Sequence, residues 1–296
     1  MNPKALIQAI RDDHRSGATA LTHRAAEVFL AWVEEPGDQS LSEMARALVS
    51  AKPMMASIFN LANTILLQAE EAESFPEIVA QFTDSLKQTT RRIVDRGVEL
   101  IEDGDVITTV SFSSTVFECL NRTTQFGKDF HVICLESRPR NEGVGLAREL
   151  GKLGIAVTLI ADALGPTEVQ GADRAIVGGD TLTPEGLINK AGTYALALAA
   201  HTADVPFTVL LGAEKLLPVH NAARLIPEMD PTELLVEPAE NVTVKNRYFD
   251  LTPLGLVSEI VTEQGVLTVR EVRKELESIK IHETLQQVLA EDFSLS

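Results

Sequence analysis

Residues 103–137 read DGDVITTVSFSSTVFECLNRTTQFGKDFHVICLES, and this stretch decides the fold. The β-rich run VITTVSF (106–112) leads into a helical segment that ends near Phe126, and a second apolar run, HVICLES (131–137), follows. Short, continuously apolar strands that alternate with helices are typical of a parallel sheet covered on both faces. The stretch therefore predicts the start of an α/β unit.

The alternation continues toward the C-terminus, and the N-terminal third differs from it. Further strands are predicted at IAVTLIA (155–161), RAIVGG (174–179) and FTVLLGA (207–213), with helices over 143–153 and 190–203. Residues 1–102 show helical spacing without a strand pattern: Ser40 or Ser42 can cap one helix, Pro53 can start another, and a long helix is expected from about Pro76 to Glu102. We predict an α/β protein with an N-terminal all-helical domain (1–102) and a Rossmann-like parallel-sheet domain (103–296).

Composition limits the classes of partner and compartment. The formal net charge of −17 disfavours general binding to nucleic acid or to an anionic membrane, although a local basic pocket remains possible. No apolar run approaches the ~20 residues of a membrane span, and the charged N-terminus lacks the apolar core of a signal peptide. Cys119 and Cys134 lie in apolar runs, as buried free thiols do in a reducing compartment. We expect a cytoplasmic protein.

Candidate site residues follow the predicted strands, because ligands of open parallel sheets bind beyond the carboxyl ends of the strands. These positions are Ser111 to Ser114, Arg138 to Arg140, Asp162, Asp180 and Glu214.

The most informative of these stretches is Gly178-Gly179-Asp180, with Asn189-Lys190 nine residues further on. The glycines allow a ligand to approach the backbone, and a desolvated Asp180 could act as an acid or a base. Lys190 could reach a phosphate, and Asn189 could cap the helix that follows. The alternatives are a turn cap at Asp180 and a surface lysine at Lys190.

Two other strand ends could bind phosphate. Ser111 and Ser113 precede a helix, where hydroxyl groups and free N–H groups bind phosphate well, but Ser113 could equally be an ordinary N-cap. Arg138 and Arg140 could bind a phosphate through both guanidinium groups, or they could lie in a solvated turn and pair with neighbouring glutamates.

Several motifs are absent from the sequence. Gly143 and Gly145 do not form a dinucleotide fingerprint, no phosphate loop ending in Gly-Lys-Ser/Thr occurs, and the six histidines show no metal-ligand spacing. We predict neither a cofactor nor a metal.

Together these stretches resemble a known family: the alpha, beta and delta regulatory subunits of translation initiation factor 2B, with methylthioribose-1-phosphate isomerase and ribose-1,5-bisphosphate isomerase. The resemblance covers nearly the whole chain. The stretches that carry it are SGA (16–18), AKP (51–53), GDVITTVSFSS (104–114), ESRPRNEG (136–143), ADRAIVGGDTL (172–182), GLINKAGT (186–193), GAEKLLP (212–218), NRYFDLTP (246–253) and GVLT (265–268).

The resemblance implies roles for particular residues. Asp180 matches the catalytic aspartate of the isomerases, Asn189 and Lys190 match their substrate-holding pair, and Lys52 and Arg138 match arginines.

This chain also departs from the isomerases. Ser111 stands at the position of their catalytic cysteine, and a serine hydroxyl, unlike a thiol, does not ionise near neutral pH. Ser16 replaces a phosphate-binding arginine, with Arg15 one position away. Leu217 replaces a lysine, with Lys215 two positions early.

Two functions follow from this resemblance. The first is a pocket for a phosphorylated sugar or nucleotide, with Lys52, Ser113, Arg138, Asn189 and Lys190 as ligand-binding residues and Asp180 and Ser111 as the catalytic pair if turnover occurs. The second is a non-catalytic regulatory protein that binds other proteins. Both imply a homodimer through the α/β domain, to which the apolar stretch 249–268 could contribute unless it is simply a buried terminal element.

Overall fold

The computed structural model describes residues 2–13, 16–35, 38–68, 75–237 and 239–294. The helices are α1 (Pro3–Asp12), α2 (Ala18–Glu34), α3 (Leu41–Ala51), α4 (Ala56–Gln68), α5 (Phe75–Glu99), α6 (Ser114–Gln125), α7 (Glu142–Lys152), α8 (Gly165–Glu168), α9 (Thr193–Thr202), α10 (Val269–Ser278) and α11 (Glu283–Ser294). The strands are β1 (Val106–Val110), β2 (His131–Leu135), β3 (Ala156–Ile160), β4 (Arg174–Val177), β5 (Thr181–Leu182), β6 (Gly186–Lys190), β7 (Phe207–Leu210), β8 (Phe249–Pro253), β9 (Glu259–Val261) and β10 (Val266–Leu267).

The larger sheet has the order β10-β9-β7-β4-β1-β2-β3. All its pairings are parallel except that of β10 with β9. The five predicted strands of the α/β part are all present, which confirms the predicted fold class. The register pairs Val110 with Leu135 and Leu135 with Ile160, so the carboxyl ends of β1, β2 and β3 lie at one edge.

A smaller antiparallel sheet has the order β5-β6-β8 and was not predicted. Asn189 and Lys190 end strand β6 and pair with Asp250 and Phe249 of β8, so the expectation that Asn189 caps a helix is wrong. Helix α9 begins only at Thr193, and the Asp250 carboxylate accepts the backbone N–H groups of Gly192 and Tyr194 at its start.

The N-terminal helices begin where their capping residues allow. Ser40, one of the two predicted caps, accepts the N–H of Glu43, whose side chain accepts the N–H of Ser40, and this reciprocal capping box starts α3. The helix predicted to start at Pro53 starts at Ala56 instead, because the Met55 N–H donates to the Lys52 carbonyl in a preceding turn.

The helical part shares its core with the α/β part. The helix-only segment ends at Glu99 and the first strand begins at Val106. The core of α1 to α4 nevertheless includes Ile188, Leu217 and Leu285 from the later chain. The division into two domains at 102 and 103 therefore stays a prediction.

The stretch 249–268 is largely built into the two sheets. Ile260 and Val261 are fully buried in β9, which pairs with β7. Within the described ranges, no helix combines the length and apolar character needed to cross a membrane. The same ranges hold no group of three or more His, Cys, Asp or Glu residues that could bind a metal ion.

Candidate functional site

A cavity of about 830 Å³ lies between the N-terminal helices and the carboxyl edge of the large sheet. Its sheet side is formed by Ser111 to Ser114 after β1, by Gly179 and Asp180 after β4, and by Asn189 and Lys190 at the end of β6. Five of the seven predicted site residues therefore line one cavity: Ser111, Ser113, Asp180, Asn189 and Lys190.

Ser111 is held at the cavity by hydrogen bonds that connect three strand ends. Its backbone φ is 68°, in the left-handed region, which is unusual for a serine. The Ser111 N–H donates to the Ser137 Oγ at 2.7 Å, and the Ser137 N–H donates to the Asp162 carboxylate at 2.7 Å. Side chains after β2 and β3 thus fix the backbone that follows β1.

Ser113 begins helix α6. Its hydroxyl accepts the Val116 N–H at 3.4 Å, so the capping alternative is the one observed. A Cβ at Gly178 would overlap the Ser113 Oγ, so the close contact between the two strand ends requires glycine. The start of α6 nevertheless lines the cavity, where its free N–H groups can receive an anion.

The charges of two ammonium groups act on the Asp180 carboxyl. Burial raises the pKa of the Asp180 carboxyl, and the charges of Lys215 and Lys190 oppose that rise. Its own N–H donates to the Ile188 carbonyl at 3.0 Å, which fixes its backbone to β6. A carboxyl in such surroundings can exchange a proton closer to neutral pH than an exposed one can.

Lys215 is a cavity residue that was not predicted to bind the ligand. Its Nζ donates to the Gly179 carbonyl at 2.7 Å, and only 8% of the residue is exposed. Leu217, which the resemblance matched to a lysine of the isomerases, is fully buried in the apolar core. A lysine directly after a predicted strand, in GAEK, was the available signal for Lys215.

Lys190 is almost fully enclosed. Its Nζ contacts both carboxylate oxygens of Glu142, at 2.9 Å and 2.8 Å, and lies 5.3 Å from the centre of the Tyr248 ring. Glu142 and Tyr248 also line the cavity and were not predicted as site residues. The Asn189 amide donates to the Thr193 hydroxyl at 3.0 Å.

Lys52 and Arg138 are not among the residues that line this cavity. The Lys52 Nζ donates to the Arg11 carbonyl at 3.0 Å, and burial lowers the pKa of this lysine. Arg138 is exposed and donates its backbone N–H to Asp162. Arg140 pairs with Glu233 at 3.0 Å.

The N-terminal segment contributes further groups to the cavity. Ser16 lines its edge and bonds to the Asp13 carboxylate, whereas Arg15 lies outside the described residues. His23 of α2 faces the same cavity, although nothing in the sequence placed a histidine near Ser111.

Neither cysteine of the chain lies in the cavity. Cys119 and Cys134 are free and fully buried in the core between the large sheet and helices α5, α6 and α7. Burial raises the pKa of each thiol to about 12. A thiolate from this chain is therefore not available at the site near neutral pH.

The fold and the site together define a class: an α/β protein with a helical N-terminal part and a polar, lysine-containing cavity at the carboxyl edge of its sheet. Residues 4–269 match the model of the initiation factor 2 subunit family, and the chain belongs to this family.

The chain is similar to eIF-2B-related proteins and to a sugar-phosphate isomerase. The chain is 36% identical over 276 residues to a putative translation initiation factor eIF-2B subunit 2-like protein of Pyrococcus horikoshii, covering 90% of this chain and 98% of that protein. It is 32% identical to the ribose 1,5-bisphosphate isomerase of Archaeoglobus fulgidus over 88% of each chain. The solved structure of the Pyrococcus horikoshii translation initiation factor eIF-2B superposes with a TM-score of 0.82 at 34% identity, covering 91% and 98% of the two chains.

Proposed function

We propose that this protein binds a phosphorylated sugar or nucleotide of the ribose-phosphate type in the cavity at the carboxyl edge of its sheet. The observation that carries the proposal is the convergence of Asp180, Lys190 and Lys215 with the start of α6 around one space of about 830 Å³. Buried ammonium groups and a helix start suit phosphate, while a carboxylate and an amide suit sugar hydroxyl groups. The 32% identity to a ribose 1,5-bisphosphate isomerase supports the same ligand class.

Binding requires fewer assumptions about the site than isomerisation does. The cavity lacks a thiol, because both cysteines of the chain lie in the core. If turnover occurs, Asp180 moves the proton between neighbouring atoms of an opened sugar, and the Ser111 hydroxyl acts as a hydrogen-bond donor rather than as an ionised acid–base group.

Calorimetric titration tests the binding proposal. The ligands are ribose 5-phosphate, ribose 1,5-bisphosphate, methylthioribose 1-phosphate and adenosine monophosphate. We expect saturable binding of at least one of them and a loss of roughly tenfold or more in affinity for Lys190→Met. Lys152→Met is the matched control, since this exposed lysine on α7 pairs only with Glu149 among the described residues. Absence of heat with every ligand would refute the proposal.

Turnover requires a separate assay. Conversion between aldose and ketose can be followed by proton NMR on the ligand that binds most tightly. Conversion that Asp180→Asn abolishes while binding persists would make the protein an isomerase. Binding without conversion leaves it a ligand-binding relative of the isomerases.

The second candidate is a regulatory protein that binds other proteins, which the 36% identity to an eIF-2B subunit 2-like protein favours. A surface is available on the α/β part: edge strand β3 is largely exposed, and Leu159, Leu164, Tyr194 and Leu198 are exposed apolar side chains of β3, of the turn after it and of α9. We propose that a homodimer forms through this part of the chain, in the cytoplasm.

Light scattering at micromolar concentration tests the dimer, and a monomeric mass would refute it. Affinity purification tests the regulatory role. Recovery of the protein alone, together with clear binding of a sugar phosphate, would count against that role.

A further inference from the structure

In the cavity, the carboxylate of Glu142 is bound to the ammonium group of Lys190, which the proposed phosphate ligand would need. Lys190 is 3% exposed, and two of its three N–H groups face the two oxygens of Glu142 at 2.9 Å and 2.8 Å. The Tyr248 ring covers another side of the ammonium group at 5.3 Å. A phosphate that approached Lys190 in this arrangement would meet the negative charge of Glu142 and would find two of the three N–H groups already bonded.

The Glu142 side chain has room to rotate away from Lys190. It is the first residue of α7, its side chain is 28% exposed, and it faces the cavity. Lys190 is its only hydrogen-bonding or ion-pair partner among the described residues. A carboxylate in the first turn of a helix is also stabilised by the helix dipole, so rotating away from Lys190 does not strand its charge.

The other buried lysine of the cavity is held by a different partner. The Lys215 Nζ donates to the Gly179 carbonyl at 2.7 Å, and its charge lowers the pKa of the Asp180 carboxyl against the effect of burial. Lys190 is thus an ammonium group that a ligand can gain by displacing a partly exposed side chain.

We propose that Glu142 is a specificity-determining residue of this cavity: its carboxylate is an internal competitor that a phosphate group displaces when it binds to Lys190. This inference rests on the proposed function. It follows that Glu142 lowers the affinity for phosphorylated ligands and restricts binding to ligands whose other groups compensate for the displacement.

The test compares Glu142→Gln with the unaltered protein. The substitution keeps the size of the side chain and its ability to accept a hydrogen bond, but it removes the competing charge. We expect the affinity for inorganic phosphate and for ribose 5-phosphate to rise roughly tenfold or more, the usual range for gaining hydrogen bonds to a charged group. Glu149→Gln, on the same helix and paired with the exposed Lys152, should leave both affinities unchanged.

A double variant shows whether the gain acts through Lys190. In Glu142→Gln combined with Lys190→Met, the gain in phosphate affinity should disappear. An unchanged or lower phosphate affinity in Glu142→Gln, or a gain that survives Lys190→Met, would overturn the inference. Ribose 5-phosphate binding to the unaltered protein would still support the proposed function in that case, whereas absence of binding in every variant would overturn both. Unfolding midpoints of all variants verify that each is folded.

Discussion

Gly97 of α5 packs directly against Cys119 of α6, so we predict that a larger side chain at position 97 destabilises the protein. A Cβ added to Gly97 would lie 2.6 Å from the Cys119 Sγ, whereas ordinary contacts begin at 3.4 Å. Both helices contribute residues to the wall of the cavity, including Arg91 from α5 and Glu118 from α6. Gly97→Ala therefore forces apart two helices that shape the site.

The size of the effect follows from two opposing terms. Relieving an overlap of nearly an ångström in a packed interior costs about 1–3 kcal/mol, and alanine gains about 1 kcal/mol over glycine within a helix. We expect a net loss of about 1 kcal/mol in the free energy of unfolding for Gly97→Ala. Cys119→Ala alone should lose about 1–2 kcal/mol, because it leaves a small cavity.

The combined variant separates overlap from ordinary loss of packing. Without the Sγ, the nearest remaining atoms to the new methyl group are Leu210 Cδ1 at 3.5 Å and Cys119 Cβ at 3.7 Å, both ordinary contacts. Gly97→Ala with Cys119→Ala should therefore be about 2 kcal/mol more stable than the sum of the two single changes predicts.

Urea unfolding followed by circular dichroism measures these differences as midpoint shifts at an unchanged slope. Gly151→Ala is the matched control, since Gly151 lies in α7 and a methyl group added to it would meet no atom within 4 Å. This control should be neutral or stabilising. Additive effects in the cycle, within about 0.5 kcal/mol, would refute the packing argument.

Three further predictions concern groups around the site and in the core. Burial raises the pKa of Asp250 to about 6 from 3.8, so the folded protein retains this proton longer and stability falls as pH rises from about 4 to about 6. We therefore expect the free energy of unfolding of Asp250→Asn, measured in urea and compared with that of the unaltered protein, to rise by up to about 3 kcal/mol between pH 4 and pH 7. A difference between the two proteins that is the same at both pH values would contradict the raised pKa. Ser137→Ala should cost about 1–3 kcal/mol because the Ser111 N–H loses its acceptor, and an unchanged unfolding midpoint would exclude that role. Cys119 and Cys134 should react with a thiol reagent only after unfolding, and rapid labelling of the folded protein would show that a thiol is accessible.

Five of the seven strands of the large sheet could be predicted, and the central strands β1, β2 and β4 gave the clearest signal because they are buried on both faces. Strand β3 was predicted although it lies exposed at one edge, and β9 and β10 were not predicted. The runs around Ile107, Val132 and Ile176 are continuously apolar, and turn residues separate them from helices with a different spacing. That pattern depends only on local sequence, so it survives without knowledge of the partner strands.

The smaller sheet was not predicted, because β5 has only two residues and the longer pairing, of β6 with β8, joins distant parts of the chain. Asn189 and Lys190 belong to a five-residue strand whose partner β8 lies about sixty residues later, and the nearby alanines and threonine favoured an earlier helix start. The same limit applies to Glu142, which becomes a cavity residue through its contact with Lys190, in a chain segment that no local pattern connects to it. Lys215 could have been found from its position after a predicted strand, although its bond to Gly179 could not.

The roles of Asp180 and Ser111 are best judged from their surroundings. Burial raises the pKa of Asp180, which is the direction expected of a group that gives and takes a proton, and its backbone is fixed to β6. Ser111 is fixed as firmly, through Ser137 and Asp162, but its hydroxyl can only donate or accept a hydrogen bond unless a base removes its proton. Under the proposed function, Asp180 supplies one half of an acid–base pair in a rigid frame, and the Ser111 hydroxyl supplies a hydrogen-bonding group at the position of the other half. In that proposal the cavity binds a sugar phosphate, and the second proton transfer of an isomerisation would need a base for Ser111; His23 lines the same cavity and is the side chain to test for that role.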